Sequence, residues 1–441
     1  MADVAAAKPG GRSRRGVGAY GVAIFAITAC AVLGCSTILA VRGQQRLADT
    51  TCVVSGTVAA EKPTGAPLVV VLVTRSGGDW VVVDYFTASK PGPWVFGLQA
   101  GTYWVAAFED VNRDGAYQDE PFYRPDPDRP LVLTPGQRVA NVDITVPEAG
   151  RALETGRLTL QGLMARGEEA QKSKSIYALS KVGEIAALDD PRFADDVATA
   201  GMWKFYDFLI AGRAGIYFLE PYDPQRIPVL FVHGIDGSPR SFTNLVARLD
   251  RTRFQPWVVY YPSGARLDVL VGWLDELFTR LELTLRFERA IVVGYSMGGL
   301  VARGFVLRHH ETSAVDPVRT FVTISSPFGG MASAGDGVAR SPVVVRSWYG
   351  LAPGSEYLDG LFYADPATRQ RRRRLPDDVA YHMMFGFKGG ASDGVVAIAS
   401  QLRDEAQEEA RTLRGYDETH AGILASPAVA AHLNAILADL E

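Results

Sequence analysis

Cysteine is nearly absent from this chain. Its 441 residues hold three, Cys30, Cys35 and Cys52, and none follows residue 52. A disulfide framework and a cysteine-based metal site are thereby excluded for everything downstream, which must rest on its own apolar core. An excess of positive charge is also missing. Forty-five basic residues face 49 acidic ones, a net charge of −4, whereas a nucleic-acid-binding domain carries a strong basic stripe. The one dense basic block, Arg371 to Arg374, is followed by Asp377 and Asp378 and reads as a solvated loop or helix face. Histidine is scarce at six copies, so a general base has few places to be. What is present is ordinary globular material, 47% hydrophobic and 21% charged. Length alone suggests two or three domains.

Residues 1–35 read as an address. Arg12, Arg14 and Arg15 precede an uncharged, mostly apolar stretch at 16–34. A positive start, an apolar middle and a small-residue stop describe a secretory signal. The stop, Val32-Leu33-Gly34-Cys35-Ser36, resembles the lipobox of bacterial lipoproteins. That resemblance implies lipidation of Cys35 and membrane association in the cell envelope, outside the cytoplasm. Two readings compete: an uncleaved membrane anchor, since about 18 apolar residues are near the minimum for a spanning helix, and a simple cleaved signal. Ile27-Thr28-Ala29-Cys30 is a second lipobox match, and Ser13-Arg14-Arg15 lacks the apolar pair that a twin-arginine signal places next.

Between residues 50 and 148, short β-branched and aromatic runs at 53–58, 68–74, 80–86, 94–98, 101–108, 131–133 and 139–146 alternate with Pro, Gly, Asp and Ser. Such spacing predicts a small β-sandwich. The phrase Gly97-Leu98-Gln99-Ala100-Gly101-Thr102-Tyr103 resembles the strand-turn-strand of transthyretin-like and carboxypeptidase-regulatory-like modules, which implies a non-catalytic unit. Asp110, Asn112 and Asp114 alternate ahead of Gly115, as the oxygen ligands of a Ca²⁺ loop do. The closing position holds Pro121 in place of Glu, so an Asp/Asn/Gly-rich turn competes with a structural Ca²⁺. Residues 149–222 show helical periodicity at 158–188 and 193–211, broken at Asp189-Asp190-Pro191, and read as a helical connector.

From 223 to 441 the pattern is α/β. The unbroken apolar run 227–232 is what a parallel strand covered on both faces requires. Further strands are predicted at 254–260, 290–294, 318–325 and 380–387, with helices at 242–249, 267–285 and 298–309 between them. Alternating strands and helices predict a doubly wound, mostly parallel sheet. In Gly294-Tyr295-Ser296-Met297-Gly298, a serine lies between an apolar strand and a helix. The turn is too tight for side chains two residues either side of the serine, hence Gly294 and Gly298, and it lifts the serine Oγ to the carboxyl end of the sheet.

A serine hydroxyl needs a base. His233 sits in the loop after the first strand, where it braces Gly234 and its neighbours. His309 and His310 end the helix that Ser296 begins, His382 lies in a strand, and His432 sits exposed in the last helix. His420, on a loop before that helix, remains. The base needs an orienting acid. Asp393, in Ser392-Asp393-Gly394, fits that role. Asp417 competes for it, although a carboxylate on the histidine's own loop would orient it less firmly. The backbone N–H of Met297 supplies one oxyanion donor, as the residue after the nucleophile. The pattern calls for no metal and no organic cofactor.

The segments Val232-His233-Gly234-Ile235, 294–299, Thr323 to Gly330, 392–396 and the region of His420 together resemble the bacterial lipase and esterase branch of the α/β-hydrolases, and also its GPI inositol-deacylase-like group, over about residues 215–441. The resemblance implies a second oxyanion donor at Ile235, the order Ser296, Asp393, His420, and a small-molecule or lipid ester as substrate. Residues 331–375 form an insertion where such enzymes carry a cap. Its Trp348, Tyr349, Leu351, Tyr357, Leu358, Leu361, Phe362 and Tyr363 would bind an acyl chain if exposed, or serve the domain if packed. Two alternatives to ester hydrolysis remain: acyl transfer by the same residues, and an envelope binding protein with an idle hydrolase domain.

Overall fold

The computed structural model describes residues 35–439, except 77–78, 114–115, 118–119, 121, 124–125, 127, 149–157 and 160–174. The signal features at 1–34 lie outside it. Cys35 begins a helix, α1 (Cys35–Asp49). Leu47 and Ala48 of α1 pack against the core of the C-terminal unit, and Gln44 Oε1 accepts the Asp207 amide at 2.9 Å. Among the described residues no helix is long and apolar enough to cross a membrane.

Strands β1 (Cys52–Ala60), β2 (Leu68–Ser76), β3 (Asp79–Ala88), β4 (Gly92–Leu98), β5 (Gly101–Glu109), β6 (Phe122–Tyr123), β7 (Leu131–Leu133), β8 (Arg138–Val139) and β9 (Ile144–Val146) form two small sheets. In one, β1 pairs with β4, β8 and β9; in the other, β2 lies between β3 and β5, and β5 continues to β6 and β7. Val54, Val58, Leu68, Val70, Leu72, Trp94 and Phe96 share one core between the sheets. The opposite face of β2, Val69, Val71 and Val73, is buried too. Cover on both faces explains why β2 reads as a continuous apolar run and not as an alternation. Asp110 lies buried just past β5 and Asn112 in the turn beyond, whereas Asp114 lies outside the described residues. Among the described residues, no group of three or more His, Cys, Asp or Glu is placed to hold a metal ion.

The C-terminal unit is built on eight strands: β10 (Lys181–Ile185), β11 (Gly215–Phe218), β12 (Ile227–Val232), β13 (Phe254–Tyr260), β14 (Ala290–Tyr295), β15 (Val318–Ile324), β16 (Ala380–Phe387) and β17 (Thr412–Asp417). Their order is β10-β11-β13-β12-β14-β15-β16-β17. Every neighbouring pair is parallel except β11 with β13. The central strands β12, β14 and β15 are buried almost throughout. Helices α2 (Leu267–Leu285) and α3 (Met297–Thr312) pack side by side against this sheet.

Three expectations need correction. The connector at 149–222 is not wholly helical: β10 and β11 belong to the main sheet, which therefore starts at Lys181 and not near 223. The five residues of β10 are too few to show a period, and Gly183 at φ +74° interrupts their register. Pairing with β11 decides their conformation, and pairing is invisible locally. The helix at 242–249 is a 3₁₀ turn (Pro239–Phe242) followed by a short α-helix (Thr243–Ala247). His432 is half-buried and bonds Tyr416 Oη at 2.6 Å, so it is not an exposed residue.

The insertion at 331–375 folds into three short helices and a two-stranded hairpin. Leu351, Leu358, Leu361 and Phe362 are buried in the main core, and the guanidinium carbons of Arg303 and Arg403 lie 4.2 and 4.6 Å from the Phe362 ring centroid. Of the insertion's aromatic residues, Tyr349 alone is largely exposed, at 56%. The basic block is partly tied down: Arg372 pairs with Glu408 and Glu409, and Arg373 with Glu311.

The sandwich docks on α2 through buried charge. Arg280 Nε donates to Glu276 Oε1 at 2.9 Å and its Nη2 donates to the Tyr85 carbonyl at 2.6 Å. Glu276 also accepts the Thr87 amide at 3.1 Å, and Asp84 accepts the Ser175 hydroxyl. Burial pushes the carboxyl of Asp84 up to about 6 and that of Glu276 up to about 7, with Arg280 opposing both shifts.

Candidate active site

Ser296 joins the last residue of β14 to the first of α3. Its φ of 52° and ψ of −129° lie in a region that residues with a Cβ seldom occupy. The surroundings enforce this. A Cβ on Gly294 would lie 2.5 Å from Gly299 Cα, and one on Gly298 would lie 2.1 Å from the Val232 carbonyl oxygen and 2.3 Å from that of His233. The turn is therefore packed directly against the start of the loop after β12. The Ser296 amide donates to Ile324 O at 2.9 Å, which ties the turn to β15 as well.

Three side chains from distant parts of the chain meet there. Ser296 Oγ lies 2.9 Å from His420 Nε2, and His420 Nδ1 lies 2.6 Å from Asp393 Oδ2. Asp393 stands on the loop after β16, and His420 on the loop after β17. The adjacency of these strands at the carboxyl edge of the sheet brings residues 27 apart into contact. The other carboxylate oxygen, Oδ1, accepts the amides of Val395 at 2.9 Å and Val396 at 2.7 Å. Burial by itself would raise the Asp393 carboxyl. The His420 hydrogen bond and charge and these two amides outweigh it, and hold the group below the usual carboxylate range. Asp393 is thus a buried carboxylate that stays ionised. Asp417, the competing acid, is exposed and pairs with Lys388 at 3.3 Å.

His420 is held through its backbone as well as its ring. Its amide donates to Asp393 O at 2.9 Å, and its carbonyl accepts Tyr295 Oη at 2.9 Å. Tyr295 has no role in the sequence-based account. Its position beside Ser296 was visible, but nothing in the chain order places its side chain on residue 420.

His233 is fully buried and stacks on Tyr261, with ring centroids 4.2 Å apart and planes 9° apart. Nδ1 lies 2.8 Å from Gly234 O, and Nε2 lies 3.4 Å from the Tyr261 amide. The Tyr261 hydroxyl donates to the His233 carbonyl. Burial lowers its pKa to about 4, against the opposing Gly234 hydrogen bond. A neutral ring with its proton on Nδ1 satisfies both contacts. His233 therefore braces the loop and is far below the range of a base working near neutrality.

That loop lies against Ser296. A Cβ on Gly234 would lie 2.9 Å from Ser296 Cβ and 3.3 Å from its Oγ, so the backbone at Gly234 borders the hydroxyl. Met297 is the first residue of α3, and first-turn amides of a helix have no acceptor within it. Gly234 thus borders Ser296 on the side of the loop after β12, and Met297 follows it at the start of α3. The arrangement sets a base against the Ser296 hydroxyl and a carboxylate against that base.

Residues 227–343 match the family model described as alpha/beta hydrolase fold. The lysosomal thioesterase PPT2 homolog of Drosophila melanogaster is 29% identical over 113 residues, 23% of this chain. The alignment spans about a third of that relative, 36% of its length. The mature lipase BlEst2 of Bacillus licheniformis is 17% identical, with a TM-score of 0.40 over 50% of this chain and 97% of its own. The esterase RhEst1 of Rhodococcus is 14% identical, with a TM-score of 0.35 over 51% of this chain and 94% of its own. The matched segment carries β12, β14, Ser296 and β15, and the unit that holds Ser296, Asp393 and His420 has the α/β-hydrolase fold.

Proposed function

We propose that this chain is a serine hydrolase that cleaves carboxylic esters with an apolar acyl group, through an acyl-serine intermediate. The observation that carries this is the hydrogen-bonded line from Ser296 Oγ through His420 to the buried, ionised Asp393. Ser296 Oγ attacks the ester carbonyl carbon while His420 Nε2 takes its proton. The carbonyl π pair becomes the oxyanion, which the Met297 and Ile235 amides stabilise. Collapse breaks the bond to the leaving alcohol, which takes the proton from Nε2. Water then attacks the acyl-serine, with His420 again as base, and the acid leaves as the proton returns to Oγ. Asp393 holds the Nδ1–H tautomer and offsets the imidazolium charge in both halves.

The resemblance of the motifs to the lipase and esterase branch, including its GPI inositol-deacylase-like group, favours a lipid or small-molecule ester. The name of the fly relative adds thioesters to the substrates worth testing. The segment from Arg12 to Cys35 supports a location in the cell envelope, with membrane association through a lipid on Cys35 or through the apolar stretch itself.

The full chain labelled with a fluorophosphonate, then supplied with p-nitrophenyl esters of short to long acyl chains and one acyl thioester, tests this. Wild type labels and hydrolyses, whereas Ser296→Ala does neither. Equal labelling of the two proteins would sink the proposal. Ester products formed in the presence of an added alcohol would identify acyl transfer instead.

A further inference from the structure

We infer that Tyr295, the residue before the nucleophile, is a positioning residue that holds His420 at hydrogen-bond distance from Ser296. This role rests on the serine-hydrolase reading and adds a residue to it. Tyr295 is the last residue of β14, and its ring is mostly buried. Its hydroxyl donates to the carbonyl oxygen of His420 at 2.9 Å, and its ring lies 5.0 Å from the imidazole centroid at an interplanar angle of 34°. One side chain therefore holds the backbone of the base and covers a face of its ring.

The need for such a hold follows from where His420 stands. It lies past the end of β17 and before a 3₁₀ turn (Gly422–Leu424), in a segment without ladder hydrogen bonds of its own. Its backbone has two attachments, the amide to Asp393 O and the carbonyl to Tyr295 Oη. Asp393 fixes the Nδ1 side of the ring. Without the Tyr295 hydroxyl, the segment can rotate about the Asp393 bonds, and the distance from Nε2 to Oγ is the quantity that rotation changes. Burial, with the Asp393 charge, pushes the phenol pKa upward, so Tyr295 stays a donor across the working range. Since Tyr295 and Ser296 are consecutive, the same backbone turn that sets the nucleophile also sets this brace. Base and nucleophile are registered to each other without relying on the longer path through the sheet.

The test compares Tyr295→Phe, Tyr295→Leu and wild type in the full chain, with kcat and KM measured separately on one p-nitrophenyl ester and circular dichroism as a check on folding. Tyr295→Phe keeps the ring and loses the hydroxyl. It should lower kcat about fivefold, the rate equivalent of one ordinary hydrogen bond, and leave KM unchanged. Tyr295→Leu should lower kcat further at unchanged KM. A Tyr295→Phe enzyme with wild-type kcat, or one whose loss lies in KM, would overturn the positioning role while Ser296→Ala remains inactive and the hydrolase reading stands. A wild type that neither labels nor turns over would overturn both.

Discussion

Replacing Asp393 by Asn tests the site most sharply, because the structure dictates which way the amide must face. Asp393 Oδ1 accepts two backbone amides, from Val395 and Val396. The asparagine oxygen must keep that place, since turning the NH₂ toward two N–H donors would leave buried donors unpaired at about 1–3 kcal/mol each. The NH₂ then faces His420 Nδ1, where Oδ2 stood at 2.6 Å. Two donors cannot share that bond, so Nδ1 must become the acceptor and the proton moves to Nε2. In that tautomer Nε2 cannot take the Ser296 proton. A wrong tautomer in an otherwise intact site costs about 10⁴-fold in kcat, or about 5.5 kcal/mol. The assay is kcat and KM on a p-nitrophenyl ester, with the fluorophosphonate labelling rate as an independent measure. Asp417→Asn is the control: Asp417 is exposed and pairs with Lys388, and exposed pairs contribute about 0–1 kcal/mol, so its kcat should stay within about fivefold of wild type. Retention of a tenth or more of the activity by Asp393→Asn, or an equal loss in Asp417→Asn, would refute the reasoning.

Three further outcomes follow from the packing and charge. Gly298→Ala would force a Cβ to 2.1 Å from the Val232 carbonyl, where backbone must move; an overpacking cost of about 3 kcal/mol should lower the midpoint of thermal unfolding by roughly 10 °C, and an unchanged midpoint contradicts the tight turn. Ser296→Gly removes the strain of φ +52° but adds freedom to the unfolded chain; the net gain of about 1 kcal/mol should raise the midpoint by about 2–4 °C, and calorimetry showing a fall would argue against strain at the serine. The docking cluster makes stability depend on pH. Burial raises Glu276 to about 7 in the folded protein, against Arg280 and the Thr87 amide, so folding takes up a proton between the ordinary carboxylate range and neutrality. Its stabilising contribution is full below that range and is lost as pH rises through about 7, and Asp84 follows the same course through about 6. Melting temperatures should decline from pH 5 to 8, and Glu276→Gln should flatten that decline; an equal slope in the variant would exclude Glu276 as its source.

The parts of this protein that could be read from the chain are those whose cause is local. The run 227–232 is apolar without interruption because both its faces are covered, and 267–285 carries an apolar stripe at helical spacing, although the sandwich buries the polar Glu276 and Arg280 of that helix as well. Gly294 and Gly298 are glycines because the turn at Ser296 has no room for a Cβ. The parts that could not be read depend on a partner elsewhere. Lys181–Ile185 is a strand because Gly215–Phe218 lies beside it. The insertion's aromatic residues gave no sign of whether they face solvent or core, and most face the core.

The same division runs through the candidate site. Sequence alone placed Ser296 on a strand-to-helix turn, because residue type and local geometry carry that information; elimination among six histidines left His420 for a base, and the resemblance to the α/β-hydrolases implied an acid between the two in the chain. Only the tertiary structure decided that Asp393, and not Asp417, meets His420, that His233 is kept neutral by burial, and that Tyr295 grips the base. Those are distances between residues far apart in sequence, set by which strands lie side by side at the carboxyl edge of the sheet, and no local pattern encodes them.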